Sequence, residues 1–260
     1  MRAIAAFGLT TLVIMPLTLR AHVAPAVNEN NRYLTLSPLA DRVRLSYTVF
    51  FGQVPGLEAR LEMDRDSDAE LSKTEQDRFA SDLGTLIAEQ LQVSIDDQPI
   101  PVIWSKTHVG LGEGDDGAFS IDFVAELCVD GDAGAHTVTI RDGFEIDKPG
   151  EGELKLELGP GIEVVRSGVG DARGKLDPKV SWQGQAGPLR DPGYLLEFRA
   201  AAGAFAPDQP CEQLTNPPEI DARVRRLWLY AGLGALLATI AALAIAIRAA
   251  RRRKPKAPGK

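Results

Sequence analysis

The sequence predicts a mainly β protein, an antiparallel sandwich-like domain with one amphipathic helix and a C-terminal transmembrane helix. Three observations carry this. Short alternating apolar segments recur between turn-forming residues, as in strands of a sheet with one buried face. One segment instead repeats with helical period: Phe79, Leu83, Leu86, Ile87 and Leu91 stand at i, i+4, i+7, i+8 and i+12. Near the C-terminus, Leu227 to Ile247 runs without a charged residue, and about 20 apolar residues suffice to cross the hydrocarbon core.

Taken in order, Val43 to Phe51 alternates Leu45, Tyr47 and Val49 with Arg44, Ser46 and Thr48, a strand pattern. Residues 57–63 follow a Pro55-Gly56 turn and fit either a second strand or a short helix using Leu57 and Leu61. The helical stripe predicts a helix over 73–92, its apolar face turned to the core. Gln92 to Ile95 and Ile100 to Trp104 flank Asp96-Asp97-Gln98-Pro99, a hairpin pattern. Phe119 to Val129 and Ala135 to Ile140 flank another Gly- and Asp-rich turn. Glu153 to Leu158, Ile162 to Val165 and Tyr194 to Phe198 supply further strands. Gly168 to Pro192 reads as a long mobile loop, rich in Gly, Asp and Pro. Residues 201–226, with Pro207, Pro210, Pro217 and Pro218, read as a Pro-rich stalk. That leaves 22–200 for a β-rich domain.

The ends predict location. Residues 1–21 combine Arg2, an apolar run and a small-residue site, the pattern of a secretory signal peptide. Cleavage after Ala21 leaves His22 at the mature N-terminus; Ala24-Pro25-Ala26 offers a second site. Residues 227–247 form the expected single span, with Trp228 and Tyr230 at its start. Residues 248–260 carry seven cations, which marks that end as cytoplasmic and the large domain as periplasmic. The whole chain carries −7. Nine of its 29 cations are Arg2, Arg20 and the seven after the span, so the exported part sets 20 cations against all 36 acids, a balance of −16. Such a domain favours divalent cations and excludes nucleic acid as partner. A membrane and a protein of the cell envelope are the expected partners.

Cys128 and Cys211 are the only cysteines. In an oxidising compartment they are expected to form one disulfide.

Asp64 to Glu75 carries the chemistry. Counted as a twelve-residue loop, it places Asp64, Asp66 and Asp68 at positions 1, 3 and 5, Glu70 at 7, Leu71 at 8, Ser72 at 9 and Glu75 at 12. Hard cations such as Ca2+ need six to eight oxygen ligands, and the spacing supplies three early carboxylates, a main-chain carbonyl at 7 and a closing carboxylate at 12. The loop resembles an EF-hand, or the EF-hand-like loops of exported bacterial proteins. The resemblance implies calcium held by the side chains of Asp64, Asp66, Asp68, Ser72 and Glu75 and by the Glu70 carbonyl. Two positions depart from the family: Ala69 stands where Gly allows a sharp turn, and Gln76 follows where an apolar residue is usual. A non-Gly residue in the left-handed region costs about 1–2 kcal/mol.

Copper or nickel is the alternative metal. A free N-terminal His22, joined by His108 or His136, is similar to the sites of exported copper proteins on a β-sandwich, and imidazole suits copper. An enzyme is not expected, because no Gly-x-Ser-x-Gly, His-Glu-x-x-His or phosphate-binding Gly-rich loop occurs; a site the sequence does not spell out remains a further alternative. Gly110 to Gly117 reads as a hairpin tip, or as a second cation site through Glu113, Asp115 and Asp116.

Overall fold

The computed structural model describes residues 27–111, 117–129, 134–170, 178–185, 187–208 and 210–212. The expected signal peptide with His22, the span 227–247, the tail 248–260 and the acids Glu113, Asp115 and Asp116 lie outside them. Among the described residues no helix is long and apolar enough to cross a membrane.

Two sheets and two helices share one core. The first sheet runs in the order β10 (Lys179–Gln183), β8 (Pro149–Leu156), β1 (Asn30–Pro38), β2 (Arg42–Phe51), β6 (Phe119–Cys128), β5 (Lys106–Leu111). The second runs β4 (Gln98–Ile100), β3 (Leu91–Ile95), β7 (Ala135–Asp142), β11 (Tyr194–Ala200), β9 (Ile162–Val169). Every pairing is antiparallel except β1 with β8, which is parallel and makes the first sheet mixed. A wholly antiparallel arrangement is therefore corrected at that one seam. In β6, alternate residues Phe119, Ile121, Phe123, Ala125 and Leu127 are buried, the period of two that the pleat demands. They meet Leu45, Tyr47 and Val49 of β2, and Val93, Val138, Leu196 and Phe198 of the second sheet join the same cluster.

A buried polar knot lies among these apolar side chains. Arg32 Nη1 donates to Asp142 Oδ2 at 3.2 Å and to the Phe144 carbonyl at 2.8 Å, while the Tyr47 hydroxyl donates to Asp142 Oδ2 at 2.9 Å. Burial pushes the Asp142 carboxyl up, against the opposing pull of Arg32, the Phe144 N–H and Tyr47. The Tyr47 hydroxyl is likewise raised by its complete burial and by the Asp142 charge. The knot joins β1, β2 and the end of β7 across the core.

Residues 57–63 belong to a helix, α1 (Gln53–Met63), the second of the two alternatives the sequence left open, so the described residues hold two helices. Its buried face is not the expected one. Pro55, Gly56, Ala59 and Met63 are buried, whereas Leu57 and Leu61 are 50% and 77% exposed. Pro55 is tolerated in the first turn, where its missing N–H has no helical partner. Gly56 is dictated by contact: a Cβ there would stand 2.3 Å from the Gly117 carbonyl oxygen. The helix α2 (Lys73–Gln90) ends two residues earlier than the pattern predicts, because Leu91 is already extended and paired with Asp142. Ala80, Gly84 and Ile87 face the core. A Cβ on Gly84 would lie 2.7 Å from Phe123 Cε1, and the Trp104 indole N–H donates to the Gly84 carbonyl at 2.6 Å. Gly84 lets α2 lie directly on β6, and Gly56 lets α1 close on the segment that leads into β6.

Three other expectations change. The strand expected over Ile100 to Trp104 is confined to the short edge strand β4, where Pro99 removes no needed donor. The long loop of Gly168 to Pro192 contains β10, whose Trp182 is buried against Gly152. After Ala200 the chain stays on the body: Ala201 N–H donates to the Gly161 carbonyl, Ala40 N–H to the Phe205 carbonyl, and Cys211 is disulfide-bonded to Cys128 with Cα atoms 5.6 Å apart. At 83 residues apart in sequence, that bond is worth about 4–5 kcal/mol in the chain-entropy model.

Candidate metal centre

α1, the loop and α2 form a helix–loop–helix, and the two helices hold the loop from either side. Asp64 caps the end of α1, its N–H donating to the Arg60 carbonyl. Ser72 caps the start of α2 with a complete capping box: its hydroxyl oxygen accepts from the Glu75 N–H, and the Glu75 carboxylate accepts from the Ser72 N–H. Such reciprocal caps satisfy two of the N–H groups a helix start leaves open.

Between these caps the backbone folds around carboxylates. Asp64 accepts from the N–H groups of Asp68 (3.2 Å) and Ala69 (3.0 Å), and Asp68 accepts from Glu70 N–H at 2.8 Å. Ser67 and Ala69 take φ of 61° and 66°. Ala69 therefore adopts the left-handed turn that glycine usually makes at this position, at the steric cost expected for a Cβ.

Asp64, Asp66 and Asp68 are brought together: one oxygen from each lies within 4.8 Å of the others. Glu75 is not drawn into that cluster. Its Oε1 accepts from Arg65 N–H at 2.7 Å and its Oε2 from the Ser72 hydroxyl at 2.7 Å, so it ties loop position 2 to the helix start. Ser72 serves the same cap, and the Glu70 side chain points to solvent, leaving its carbonyl for the role the spacing gives it.

Electrostatics separate the two acids. The Ser72 hydroxyl, with the Arg65 and Ser72 N–H groups, holds the Glu75 carboxyl below the usual range. For Asp66 the Asp68 N–H pulls downward, but desolvation and the charges of Asp68, Glu75 and Asp64 outweigh it, and its carboxyl is raised. The mutual repulsion of these converging carboxylates is written on Asp66. An all-oxygen donor set of this kind suits a hard cation and offers nothing to a soft one.

The histidines are placed apart. His108 lies on β5 of the first sheet, opposite Asp122. His136 lies buried on β7 of the second, its Nδ1 2.9 Å from Asp96 Oδ2 and its ring against Phe198. Among the described residues no metal-ligating cluster joins them.

Sequence reasoning missed β1, β5, β10 and the polar knot. Leu34 and Leu36 alternating with Thr35 and Ser37, and Val180 with Trp182, were the available strand signals. Nothing local announces that Arg32 will meet Asp142, 110 residues away.

Compared with known proteins, the chain matches no protein-family model and no curated protein.

Proposed function

We propose that this protein is a membrane-anchored, extracytoplasmic calcium-binding module whose ion has a structural or interaction role. The observation that carries this reading is the convergence of Asp64, Asp66 and Asp68 on a loop that keeps a left-handed turn at Ala69 despite its Cβ. Asp64, Asp66 and Asp68 ligate through side chains and Glu70 through its carbonyl. Ser72 contributes at position 9, directly or through water, and Glu75 turns from its capping bonds to close the site. The ion supplies positive charge where carboxylates otherwise repel one another, and so fixes α1 against α2. The signal-peptide and span patterns place the module outside the cytoplasm, where calcium is abundant enough to fill sites with Kd of about 10⁻⁴–10⁻³ M.

Thermal unfolding of the full-length chain with and without calcium tests this. At ten times Kd, ligand binding contributes about 1.4 kcal/mol, a rise of roughly 3–6 °C for a body of this size. The rise is expected in the parent and absent in Glu75→Gln and Asp66→Ala. Glu75 also caps a helix, whereas Asp66 does not, so loss of the response in Asp66→Ala separates ligation from capping. An unmoved parent midpoint overturns the reading.

A further inference from the structure

Three connections meet at one end of the sandwich: the turn between β1 and β2, the segment between β8 and β9, and the chain that follows β11. Their backbones tie them together. Ala40 N–H donates to the Phe205 carbonyl at 3.1 Å, Phe205 N–H to the Pro160 carbonyl at 3.3 Å, and Ala201 N–H to the Gly161 carbonyl at 2.8 Å. The same end holds Cys128, paired with Arg42 at the last rung of β6, and with it the bonded Cys211. Segments 158–162 and 200–207 contain no charged or hydrogen-bonding side chain, although 25% of the chain's residues are charged. Leu158 and Phe205 are 52% and 55% exposed. Large apolar side chains scattered singly on a surface are ordinary, but these two stand on segments bonded to each other, amid prolines, alanines and glycines.

Position says what covers this end. The last described residues, 210–212, lie beside it, and only the 14 residues 213–226 separate them from the expected span. Fully extended, these reach about 50 Å. A patch on so short a tether stays within reach of the bilayer, where an effective concentration on the order of mM lets a weak contact persist. A second exposed apolar group, Val54, Leu57 and Leu61, sits at the other end. It belongs to α1, whose Gly56 closes on Gly117 just before β6 begins. The 10 residues of β6 set that end about 30 Å from Cys128.

We propose that the Cys211 end of the domain rests on the membrane, with Leu158 and Phe205 entering the interface of a net-neutral lipid surface. The contact rests on the membrane-anchored reading above. Burying the exposed halves of two large side chains favours it. Charge selects the lipid. Arg42, Arg44 and Lys155 are paired with Asp41, Glu126 and Glu157, which leaves the exposed Glu163, Asp208 and Glu212 flanking the patch against Arg199. An anionic leaflet would repel that balance, and a phosphatidylcholine surface would not.

The test uses the full-length chain reconstituted in phosphatidylcholine vesicles in EDTA, so that the calcium loop is not engaged. The photo-crosslinker p-benzoylphenylalanine replaces Phe205, Leu61 or Leu237, one at a time. Leu61 is 77% exposed at the far end of the body, and Leu237 lies midway along the expected span. After irradiation, mass spectrometry reads the yield of lipid adduct at each site. Adducts are expected at 237 and 205, with the yield at 205 roughly fivefold or more above that at 61. Leu158→Asp removes one of the two inserting side chains and adds a charge, and is expected to lower the yield at 205 by about fivefold. A yield at 205 no greater than at 61 overturns the proposal, and leaves the anchor standing where 237 still reacts. A yield at 205 that Leu158→Asp does not move comes from tethering alone and overturns it too. No adduct at 237 overturns the anchor, and this contact with it.

Discussion

The polar knot in the core and the acidic loop on the surface both gather charge, but they are stabilised in opposite ways. Arg32, Asp142 and Tyr47 come from three strands, are closed off from water, and neutralise one another. The loop carboxylates come from a dozen consecutive residues, stand in solvent, and have backbone N–H groups rather than cations as their partners. Long-range contacts set the first and local geometry the second. Damage to the knot should therefore cost much of the fold's stability, whereas changes in the loop should cost little of it and act chiefly on what the loop does.

The largest effect is expected from Asp142→Ala. It leaves a buried guanidinium without its counter-charge, which costs about 3–5 kcal/mol and lowers the unfolding midpoint by roughly 6–20 °C, with or without calcium. A drop that calcium rescues would break the separation of the two regions. Next comes Cys128→Ser with Cys211→Ser, which is expected to cost about 2–5 kcal/mol, measured by denaturant unfolding. Ala69→Gly should sharpen the contrast from the other side. Relief of the turn is worth about 1 kcal/mol, partly offset by glycine's greater freedom when unfolded; because the turn is already formed, the gain should appear as an unfolding midpoint higher by up to about 2–4 °C in EDTA. Little change would mean that the turn at Ala69 carries no strain.

The smallest effect is one of pH. The Glu75 carboxyl titrates lower in the folded than in the unfolded protein, so its stabilisation is present above its ordinary range, near pH 4.5, and is lost as pH falls through the folded value. In EDTA, the midpoints of the parent and Glu75→Gln should therefore converge as the solution is acidified from pH 6 toward 3. A constant gap would place the Glu75 contribution in packing rather than charge.

What the sequence made legible follows the same division. The loop could be read residue by residue, because its acidic positions, cap and turn all lie within Asp64 to Glu75, and the structure brings the three aspartates together in that register. Strands such as Val43 to Phe51 and Phe119 to Val129 were legible because one face is buried and the other is not. The segment 57–63 was not, since seven residues suit either period, and its two leucines turned out to face solvent while small residues and Met63 face inward. The parallel seam of β1 with β8 was hidden for a different reason. Pairing between strands more than 100 residues apart leaves no mark on either one.

The Cys128–Cys211 bond has a mechanical consequence if residues beyond 212 lead to a membrane anchor. Tension on the anchor then enters the body at Cys211 and passes covalently into the end of β6, so the intervening chain, which holds β7 to β11, carries no load. Pulled from its two ends, the oxidised protein would withhold the contour of those 83 residues, about 300 Å of extended chain, and release it only on reduction. Strands β7 to β11 are sheltered from force by their wiring rather than by their strength, while β3 and β4 of the second sheet stay on the loaded side.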